Sequence, residues 1–258
     1  MSYERDINAN INAKRQGIII VESCLASTNL YAENLIKNGA ENGTVVISDS
    51  QTAGAGRRGR SFFSPPGVGI YMSYILAIPK GTQNLPLLTC AAGLIVSNAI
   101  DETAGISTKM KWPNDIMHNG KKLCGILTKL TSDNMHNIIT HAVVGIGINV
   151  NQEKGDFPDE LKNIAASVRI ASGSECDRAV LCAKVITGLD GVLQKMESKE
   201  LIKELSEKSC TIGKEVELTT QGEKRRGLAV AIDSNGGLVV KIGDKMCIVS
   251  AGEVIHCR

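Results

Sequence analysis

The stretch that decides the fold reads KWPNDIMHNGKKLCGIL, at residues 111–127. Its Asn119-Gly120 pair predicts a two-residue hairpin turn, because both turn positions need a positive φ that these residue types tolerate. Side chains alternate between faces along a strand, so Asp115 and Lys122 fall on one face of the hairpin, with Lys122 diagonal to the carboxylate. The stretch therefore predicts a hairpin that places an ammonium group beside a carboxylate.

The predicted register follows by counting outward from the turn, and it pairs Met117 with Lys122 and Asp115 with Cys124. Two interpretations of the Asp115–Lys122 pair remain open at this point. One is a surface ion pair worth ~0–1 kcal/mol. The other is a lysine that binds a ligand's carboxylate or phosphate, beside an aspartate oriented towards the same centre. The spacing alone does not choose between them.

The sequence on both sides of the hairpin alternates between strand-like and helix-like segments. Ser27-Thr28-Asn29 predicts a helix start with a capping residue, and Pro86 opens a helix that Gly105 ends. The first fifteen or so residues read as a polar lead-in. Extended segments are predicted at 17–21, 44–48, 69–78, 106–112 and 138–150, and further helices at 176–196 and 201–209.

The pattern of hydrophobic and turn-forming residues changes after Cys210. Four short strand-like runs follow within fifty residues, separated by glycine-containing turns, and this pattern is typical of a small β-barrel. The runs lie at 216–219, 227–232, 238–242 and 246–249. We therefore predict one domain over residues 1–209 and a second over residues 210–258.

Composition excludes several classes of protein. With 29 basic and 27 acidic residues the net charge is +2, which argues against a general polyanion binder. Eight cysteines form no CxxC pair, so a zinc site is not indicated. No stretch reaches the ~20 apolar residues of a membrane span, and the N-terminus lacks the apolar run of a signal peptide. A cytoplasmic protein with no membrane association is expected.

Residues 54–60 read GAGRRGR and fit the GxGxxG pattern of dinucleotide-binding proteins. That interpretation requires a helix directly after the loop, and the prolines at residues 65–66 exclude one. The glycines let a ligand approach the backbone closely, and guanidinium groups suit phosphate and carboxylate oxygens. A solvated basic loop is the alternative. The three arginines are Arg57, Arg58 and Arg60.

Five motifs in this order resemble the biotin–protein ligase family over roughly residues 17–258. They are Ser27-Thr28-Asn29, GAGRRGR at 54–60, KWPND at 111–115, KLCGIL at 122–127 and GIGINV at 145–150. The resemblance implies an α/β (α+β type) catalytic domain built on a mixed, mostly antiparallel sheet with helices. It also implies that the small C-terminal domain is an SH3-like β-barrel.

The resemblance assigns roles to residues of this chain. Biotin would be contacted by Ser27, Thr28, Asn29, Gln51 at the ureido ring, Ala55, Gly56, Arg57, Lys122 and Gly125. The nucleotide would be contacted by Arg57, Arg58, Arg60, Phe62, Lys122 and Asn149, with Phe62 where the family often has a tryptophan near the adenine. The catalytic residues would be Arg57, Lys122 and Asp115, and no metal ligands are implied.

The implied activity is that of a short form of the family. Biotin and ATP, with Mg²⁺, would give biotinyl-5′-AMP, and the biotinyl group would pass to a lysine of a carboxylase's biotin carboxyl carrier domain. About sixteen residues precede the first predicted strand, too few for the winged helix-turn-helix of bifunctional members. Neither DNA binding nor repression is expected, whereas a homodimer is compatible with the resemblance.

Two departures and two rival functions accompany the resemblance. Ala55 occupies a loop position commonly held by arginine, and Lys129 stands where the family often has glutamate. One rival is a lipoate– or octanoate–protein ligase or transferase on the same fold. The other is a nucleic-acid-binding module that uses the C-terminal domain and Lys224-Arg225-Arg226, although few aromatic residues are present there for base stacking.

Overall fold

The structure is a computed structural model that describes residues 3–11, 15–133, 138–220, 223–250 and 254–256. The described residues form one seven-stranded sheet in the order β1-β2-β3-β7-β6-β5-β4. Only β1 and β2 pair in parallel, and the other neighbours are antiparallel. The mixed, mostly antiparallel sheet is confirmed. Its strands are β1 (Ile19–Leu25), β2 (Val45–Gln51), β3 (Gly69–Ala77), β4 (Lys109–Lys111), β5 (Asp115–His118), β6 (Lys121–Ser132) and β7 (Ile139–Asn149).

The helices in the described ranges are α1 (Tyr3–Ala9), α2 (Thr28–Lys37), α3 (Leu87–Ala104), α4 (Val168–Ser172), α5 (Arg178–Asp190), α6 (Val192–Glu197) and α7 (Leu201–Lys208). The longest of them, α3, packs against β6 as well as against α5, α6 and α7. It is therefore buried on several sides rather than along one apolar stripe. Gly105, with φ 64°, ends it in the left-handed region, as the sequence predicts.

A second, wholly antiparallel sheet follows in the C-terminal part of the chain. Among the described residues it has five strands in the order β11-β10-β9-β8-β12, where the sequence predicted four. The additional strand is the last one, which pairs with the first. The strands are β8 (Glu215–Thr220), β9 (Glu223–Ile232), β10 (Leu238–Ile242), β11 (Lys245–Val249) and β12 (Val254–His256).

Three local predictions are wrong. The polar lead-in contains α1, which buries Ile7 completely because the helix packs on α5 and β1. The predicted helix over 176–196 is interrupted at Gly191, a residue whose lack of a side chain favours a break between α5 and α6. The hairpin register shifts between Ile116 and Met117.

That register shift is a β-bulge, and it decides the geometry of the hairpin. Met117 pairs with Lys122 as predicted, but Asp115 pairs with Gly125 instead of Cys124. The bulge inserts Leu123 as an extra residue, and Leu123 is fully buried along with its neighbour Cys124. Core packing on two consecutive residues therefore overrides strict alternation.

Trp112 connects the two sheets. Its ring is buried, its Nε1 donates a hydrogen bond to the Gly236 carbonyl at 2.8 Å, and its backbone N–H donates to Thr211 Oγ1 at 3.1 Å. Both acceptors belong to the C-terminal part of the chain. Trp112, which lies two residues before Asn114 of the hairpin, is thus fixed by residues of the C-terminal part of the chain.

Replacement of Trp112 with phenylalanine should lower the free energy of unfolding by about 2–3 kcal/mol. The substitution removes the indole donor, leaves the buried Gly236 carbonyl without its partner and creates a small cavity. Urea denaturation followed by circular dichroism measures the effect, because Trp112 is the only tryptophan and its fluorescence is lost. An unchanged denaturation midpoint would show that the indole does not stabilise the contact between the sheets.

Candidate active site

A pocket of about 480 Å³, counted to its open mouth, lies where the start of α2, the end of β2, the glycine–arginine loop and the middle of β6 and β7 meet. The sheet supplies its floor, and the loop supplies one wall. Ten residues that the sequence predicts as site residues line it: Ser27, Thr28, Asn29, Gln51, Ala55, Gly56, Arg57, Phe62, Lys122 and Gly125.

Four other predicted site residues lie outside the pocket lining. Asp115 contacts the pocket through its ion pair with Lys122. Arg58 and Arg60 are exposed on the loop. Asn149 is buried beyond the pocket, where its amide donates to the Ala166 carbonyl at 3.2 Å.

The sequence-based selection missed six lining residues, namely Asn114, Ile126, Leu127, Gly145, Ile146 and Gly147. All six belong to motifs that carry the family resemblance. A signal was available for the glycines, because in Gly-Ile-Gly-Ile the two glycines fall on one face of the strand. For Asn114, no signal in the spacing distinguished it from its neighbours.

One end of the pocket is a chain of directed hydrogen bonds. Gln51 Oε1 accepts from the Thr28 backbone N–H at 2.9 Å, and Gln51 Nε2 donates to Ser64 Oγ at 3.0 Å. Ser64 Oγ in turn donates to the Phe62 carbonyl at 2.9 Å. Because each group in this chain has a fixed partner, the orientation of the Gln51 amide is fixed as well.

Ser27 occupies the N-cap position of α2, as predicted, but its side chain makes no capping hydrogen bond. The glutamine carbonyl of Gln51 accepts the N–H of the first helical residue, Thr28, and satisfies one of the donors at this helix start. The Ser27 side chain instead lines the pocket.

The other end of the pocket carries two cations. Lys122 Nζ lies 2.6 Å from Asp115 Oδ1, with both side chains partly exposed. Arg57 donates through Nη1 to Asn114 Oδ1 at 3.0 Å, and Asn114 Nδ2 donates to the Ile126 carbonyl at 3.1 Å. The two cations therefore stand on one side of the pocket, and an anionic group is the ligand chemistry that this end favours.

Cys124 is the nucleophilic residue type closest in sequence to Lys122, but its environment makes it inert. Burial raises the pKa of the Cys124 thiol well above its usual range, against the smaller opposing effect of Lys122. The thiol stays protonated at neutral pH, so Cys124 is not suited to attack a substrate.

Glycines on β6 and β7 leave the part of the sheet under the pocket without side chains. Gly125 pairs with Gly147 across the two strands. A Cβ at Gly147 would lie 2.6 Å from the Phe62 ring, and a Cβ at Gly145 would lie 2.1 Å from Asn29 Oδ1. Both distances are far below van der Waals contact. Phe62 and Asn29 thus occupy the space that side chains at Gly147 and Gly145 would fill.

The glycine–arginine loop folds back on itself like a hairpin. Ala55 bridges to Ser61, and the Gly56 N–H donates to the Arg60 carbonyl at 2.6 Å. A short 3₁₀ turn, Arg57–Gly59, forms the tip, and the next element along the chain is the strand β3 rather than an α-helix. This agrees with the exclusion of a dinucleotide-binding fold. Arg58 has φ 57°, and the left-handed turn at this residue separates Arg57, which lines the pocket, from the exposed residues after it.

Lys129, a departure from the family pattern, has a partner in this chain. Its Nζ lies 2.8 Å from Glu33 Oε1, so the pair ties α2 to β6. Asn29, one helical turn before Glu33, donates to the Leu127 carbonyl at 3.3 Å. The helix that carries Thr28 and Asn29 is therefore attached to β6 at two successive positions on one face.

Gly147→Ala should lower the free energy of unfolding by about 1–3 kcal/mol, because the new methyl group overlaps the Phe62 ring. In a Phe62→Ala background the same substitution should cost less than half as much, which a double-mutant cycle from thermal or urea unfolding would reveal. Gly155→Ala serves as the control, since a Cβ at that residue would meet nothing within 4 Å. Equal costs in the two backgrounds would rule out the overlap with Phe62.

Two protein-family models match the chain. One is described as the biotin/lipoate A/B protein ligase family and matches residues 21–149, which is half of the chain. The other is described as the biotin protein ligase C terminal domain and matches residues 211–257. Among the described residues, no helix has the length and apolar character needed to cross a membrane.

Known proteins resemble the chain over different shares of their length. It is 47% identical over 161 residues to the bifunctional ligase/repressor BirA of Bacillus subtilis, a match covering 62% of this chain and 49% of that protein. The chain thus spans about half the length of that relative. It is 29% identical over 252 residues to the biotin–[acetyl-CoA-carboxylase] ligase of Mycobacterium tuberculosis, covering 95% of this chain and 90% of that protein.

A solved structure extends the similarity to three dimensions. The biotin protein ligase from Aquifex aeolicus in complex with biotin and ATP matches with a TM-score of 0.80 at 32% identity, covering 95% of this chain and 100% of that chain. With a family model over half of the sequence and a solved relative over almost all of it, the chain belongs to the biotin/lipoate A/B protein ligase family.

Proposed function

We propose that the chain activates biotin with ATP to biotinyl-5′-AMP and transfers the biotinyl group to a lysine of a carrier protein. The observation that carries the proposal is one pocket with a hydrogen-bonding end at Thr28 and Gln51 and a cationic end at Arg57 and Lys122. Biotin has matching ends, a polar ureido ring and a carboxylate. The biotin and ATP bound in the Aquifex aeolicus relative support the same pair of substrates.

In the first step, a carboxylate oxygen of biotin attacks the α-phosphorus of ATP, and the bond to the β-phosphate oxygen breaks to release pyrophosphate. Negative charge on the phosphate oxygens is offset by Lys122 and Arg57. The hydrogen bond to the Asn114 amide holds the Arg57 guanidinium in the pocket wall before the substrates arrive. Electrostatic stabilisation by pre-positioned cations is a major source of rate acceleration in such reactions.

In the second step, the neutral amine of the carrier lysine attacks the carbonyl carbon of the adenylate, and AMP leaves. The amine loses a proton as the amide forms. Asp115 either accepts that proton or orients Lys122, with which it is paired. No covalent enzyme intermediate is needed, in agreement with the protonated thiol of Cys124.

Mg²⁺ enters this proposal with ATP, because Mg²⁺ is commonly bound through substrate phosphates. Within the part of the chain that the structure describes, no group of three or more His, Cys, Asp or Glu residues could hold a metal ion. We therefore assign no residue of this chain as a magnesium ligand and no step of the reaction to the ion.

The nucleotide is proposed to lie beyond the cationic end. Phe62, which lines the pocket, would offer an aromatic face to the adenine, and its ring contacts Tyr71 edge-on with ring centroids 6.3 Å apart. Arg58 and Arg60, exposed on the same loop, would contact phosphate oxygens of the nucleotide. Asn149 would act on the nucleotide side indirectly, because its amide donates a hydrogen bond to the Ala166 carbonyl.

The carrier is proposed to be the biotin carboxyl carrier domain of a carboxylase. The name of the Mycobacterium tuberculosis relative, a biotin–[acetyl-CoA-carboxylase] ligase, supports that class of partner. We further propose that the catalytic domain ends at residue 209 and the C-terminal domain begins at residue 210, close to residue 211, where the second family match starts.

The central experiment incubates the protein with biotin, ATP, Mg²⁺ and a carrier domain, and then weighs the carrier by mass spectrometry. A gain equal to one biotinyl group is expected, and it should require ATP. Parallel reactions contain lipoate or octanoate in place of biotin, since the family includes lipoate ligases. A lipoyl or octanoyl gain without a biotinyl gain would overturn the proposal in favour of a lipoate or octanoate ligase.

Lys122→Met should slow adenylate formation by at least about 100-fold, because it removes a cation from the site of developing negative charge. Single-turnover release of pyrophosphate measures this step. Lys121→Met is the matched control, because the neighbouring Lys121 Nζ donates to the Lys162 carbonyl and does not line the pocket.

Asp115→Asn should slow at least one of the two steps. Full rates in both steps would eliminate the two roles given to Asp115.

A further inference from the structure

Ser73 lies on β3 beneath the hydrogen-bonding end of the pocket without lining it. Its side chain is fully buried in the sheet. Ser73 Oγ lies 2.8 Å from Thr28 Oγ1 and 2.5 Å from Asn29 Oδ1. One buried hydroxyl thus contacts the first two residues of α2, both of which line the pocket.

The Asn29 amide directs its oxygen at Ser73. Asn29 Nδ2 donates to the Leu127 carbonyl at 3.3 Å, so the oxygen of the amide is the atom directed at Ser73. An amide oxygen accepts hydrogen bonds and donates none. Ser73 has a single proton, and Ser73 Oγ donates it to both Asn29 Oδ1 and Thr28 Oγ1 in a three-centre hydrogen bond.

The proton of the Thr28 hydroxyl has a different acceptor. Because Thr28 Oγ1 accepts from Ser73 Oγ at 2.8 Å, the proton of the Thr28 hydroxyl points away from Ser73. Thr28 donates that proton to Gln51 Oε1 at 3.3 Å, the same oxygen that accepts the Thr28 N–H. The hydroxyl of Thr28 can therefore accept a hydrogen bond from a ligand but has no proton to donate to it.

Gln51 presents the opposite polarity. Its Oε1 is occupied by Thr28, and one of the two Nε2 hydrogens is donated to Ser64 Oγ. The other hydrogen of Nε2 is the one that a ligand in the pocket can accept. The end of the pocket therefore offers an acceptor at Thr28 beside a donor at Gln51.

We infer that Ser73 is a positioning residue that fixes the Thr28 hydroxyl as a hydrogen-bond acceptor and thereby selects ligands with a ring N–H next to a carbonyl. The inference rests on the proposed function, because the cyclic urea of biotin is such a group. A dithiolane ring or an alkyl chain has no N–H to give. Ser73 thus acts through Thr28, and it contributes to ligand choice rather than to the acyl-transfer steps.

The test compares Ser73→Ala with wild-type protein and with Ser97→Ala. Ser97 is the matched control, because it is also fully buried and bonded to a threonine hydroxyl, Thr108 Oγ1 at 2.7 Å, but it lies on α3 away from the pocket. Kd for biotin is measured by calorimetry, KM and kcat by carrier biotinylation, and stability by thermal unfolding.

Ser73→Ala should raise Kd and KM for biotin about tenfold, the size expected for one misplaced hydrogen bond to a buried group. The kcat at saturating biotin and the KM for ATP should change less than about twofold, since Ser73 does not touch the reacting atoms. Ser97→Ala should leave all of these constants unchanged, even if its loss of thermal stability is similar. Equal biotin constants for the two variants, or a lower kcat with an unchanged KM in Ser73→Ala, would overturn the inference.

A second measurement separates hydrogen-bond polarity from a general loosening of the pocket. A biotin analogue with a ring carbamate, in which one N–H is replaced by oxygen, presents a lone pair to Thr28 instead of a donor. Wild-type protein should prefer biotin over the carbamate that lacks the N–H facing Thr28. That preference should shrink in Ser73→Ala, where the Thr28 proton is free to turn towards the ligand.

An undiminished preference in Ser73→Ala would refute the role of Ser73. Wild-type protein that binds no biotin at all would instead overturn the proposed function, and this inference with it. The two failures are therefore distinguishable, since the first leaves wild-type biotinylation intact.

Discussion

Where β6 pairs with β7, Gly125 lies opposite Gly147, and two residues away along β7 Gly145 is also without a side chain. This bare patch in the middle of the larger sheet is the constraint on which the rest of the site depends. A methyl group at Gly147 or Gly145 would take the space of Phe62 or Asn29. The loop can lie over the sheet and the helix start can reach β6 only because these positions carry hydrogen.

The two ends of the pocket use polar groups in different ways. At one end, Ser73 donates a hydrogen bond to Thr28, and Thr28 donates to Gln51, so the hydroxyl of Thr28 has a fixed orientation. At the other end, Lys122 is paired with a carboxylate, and Arg57 donates to the amide of Asn114. The partly exposed Lys122–Asp115 pair contributes little to stability. The location of Lys122 in the pocket lining is what supports the ligand-binding interpretation of the hairpin.

Much of the fold followed from local patterns, and the errors have identifiable physical causes. The Asn119-Gly120 turn and the Gly105 helix end were predictable, because each depends on backbone angles that few residues tolerate. The helix α1 was not, because its stability comes from Ile7 packing on α5 and β1. The bulge at Leu123 was not either, because it arises from burial on both sides of the hairpin. Local sequence carries no record of such distant partners.

By itself, the sequence determined the mixed α/β architecture, the family resemblance and most of the residues that line the pocket. These features depend on the order of short motifs and on turn residues, whose identity is restricted by the local backbone angles. Only the tertiary structure decided which of these residues act together. It placed the Asn114 amide against Arg57 and Ser73 under Thr28. These contacts join residues tens of positions apart or depend on core packing, and spacing along the chain does not encode the distances between them.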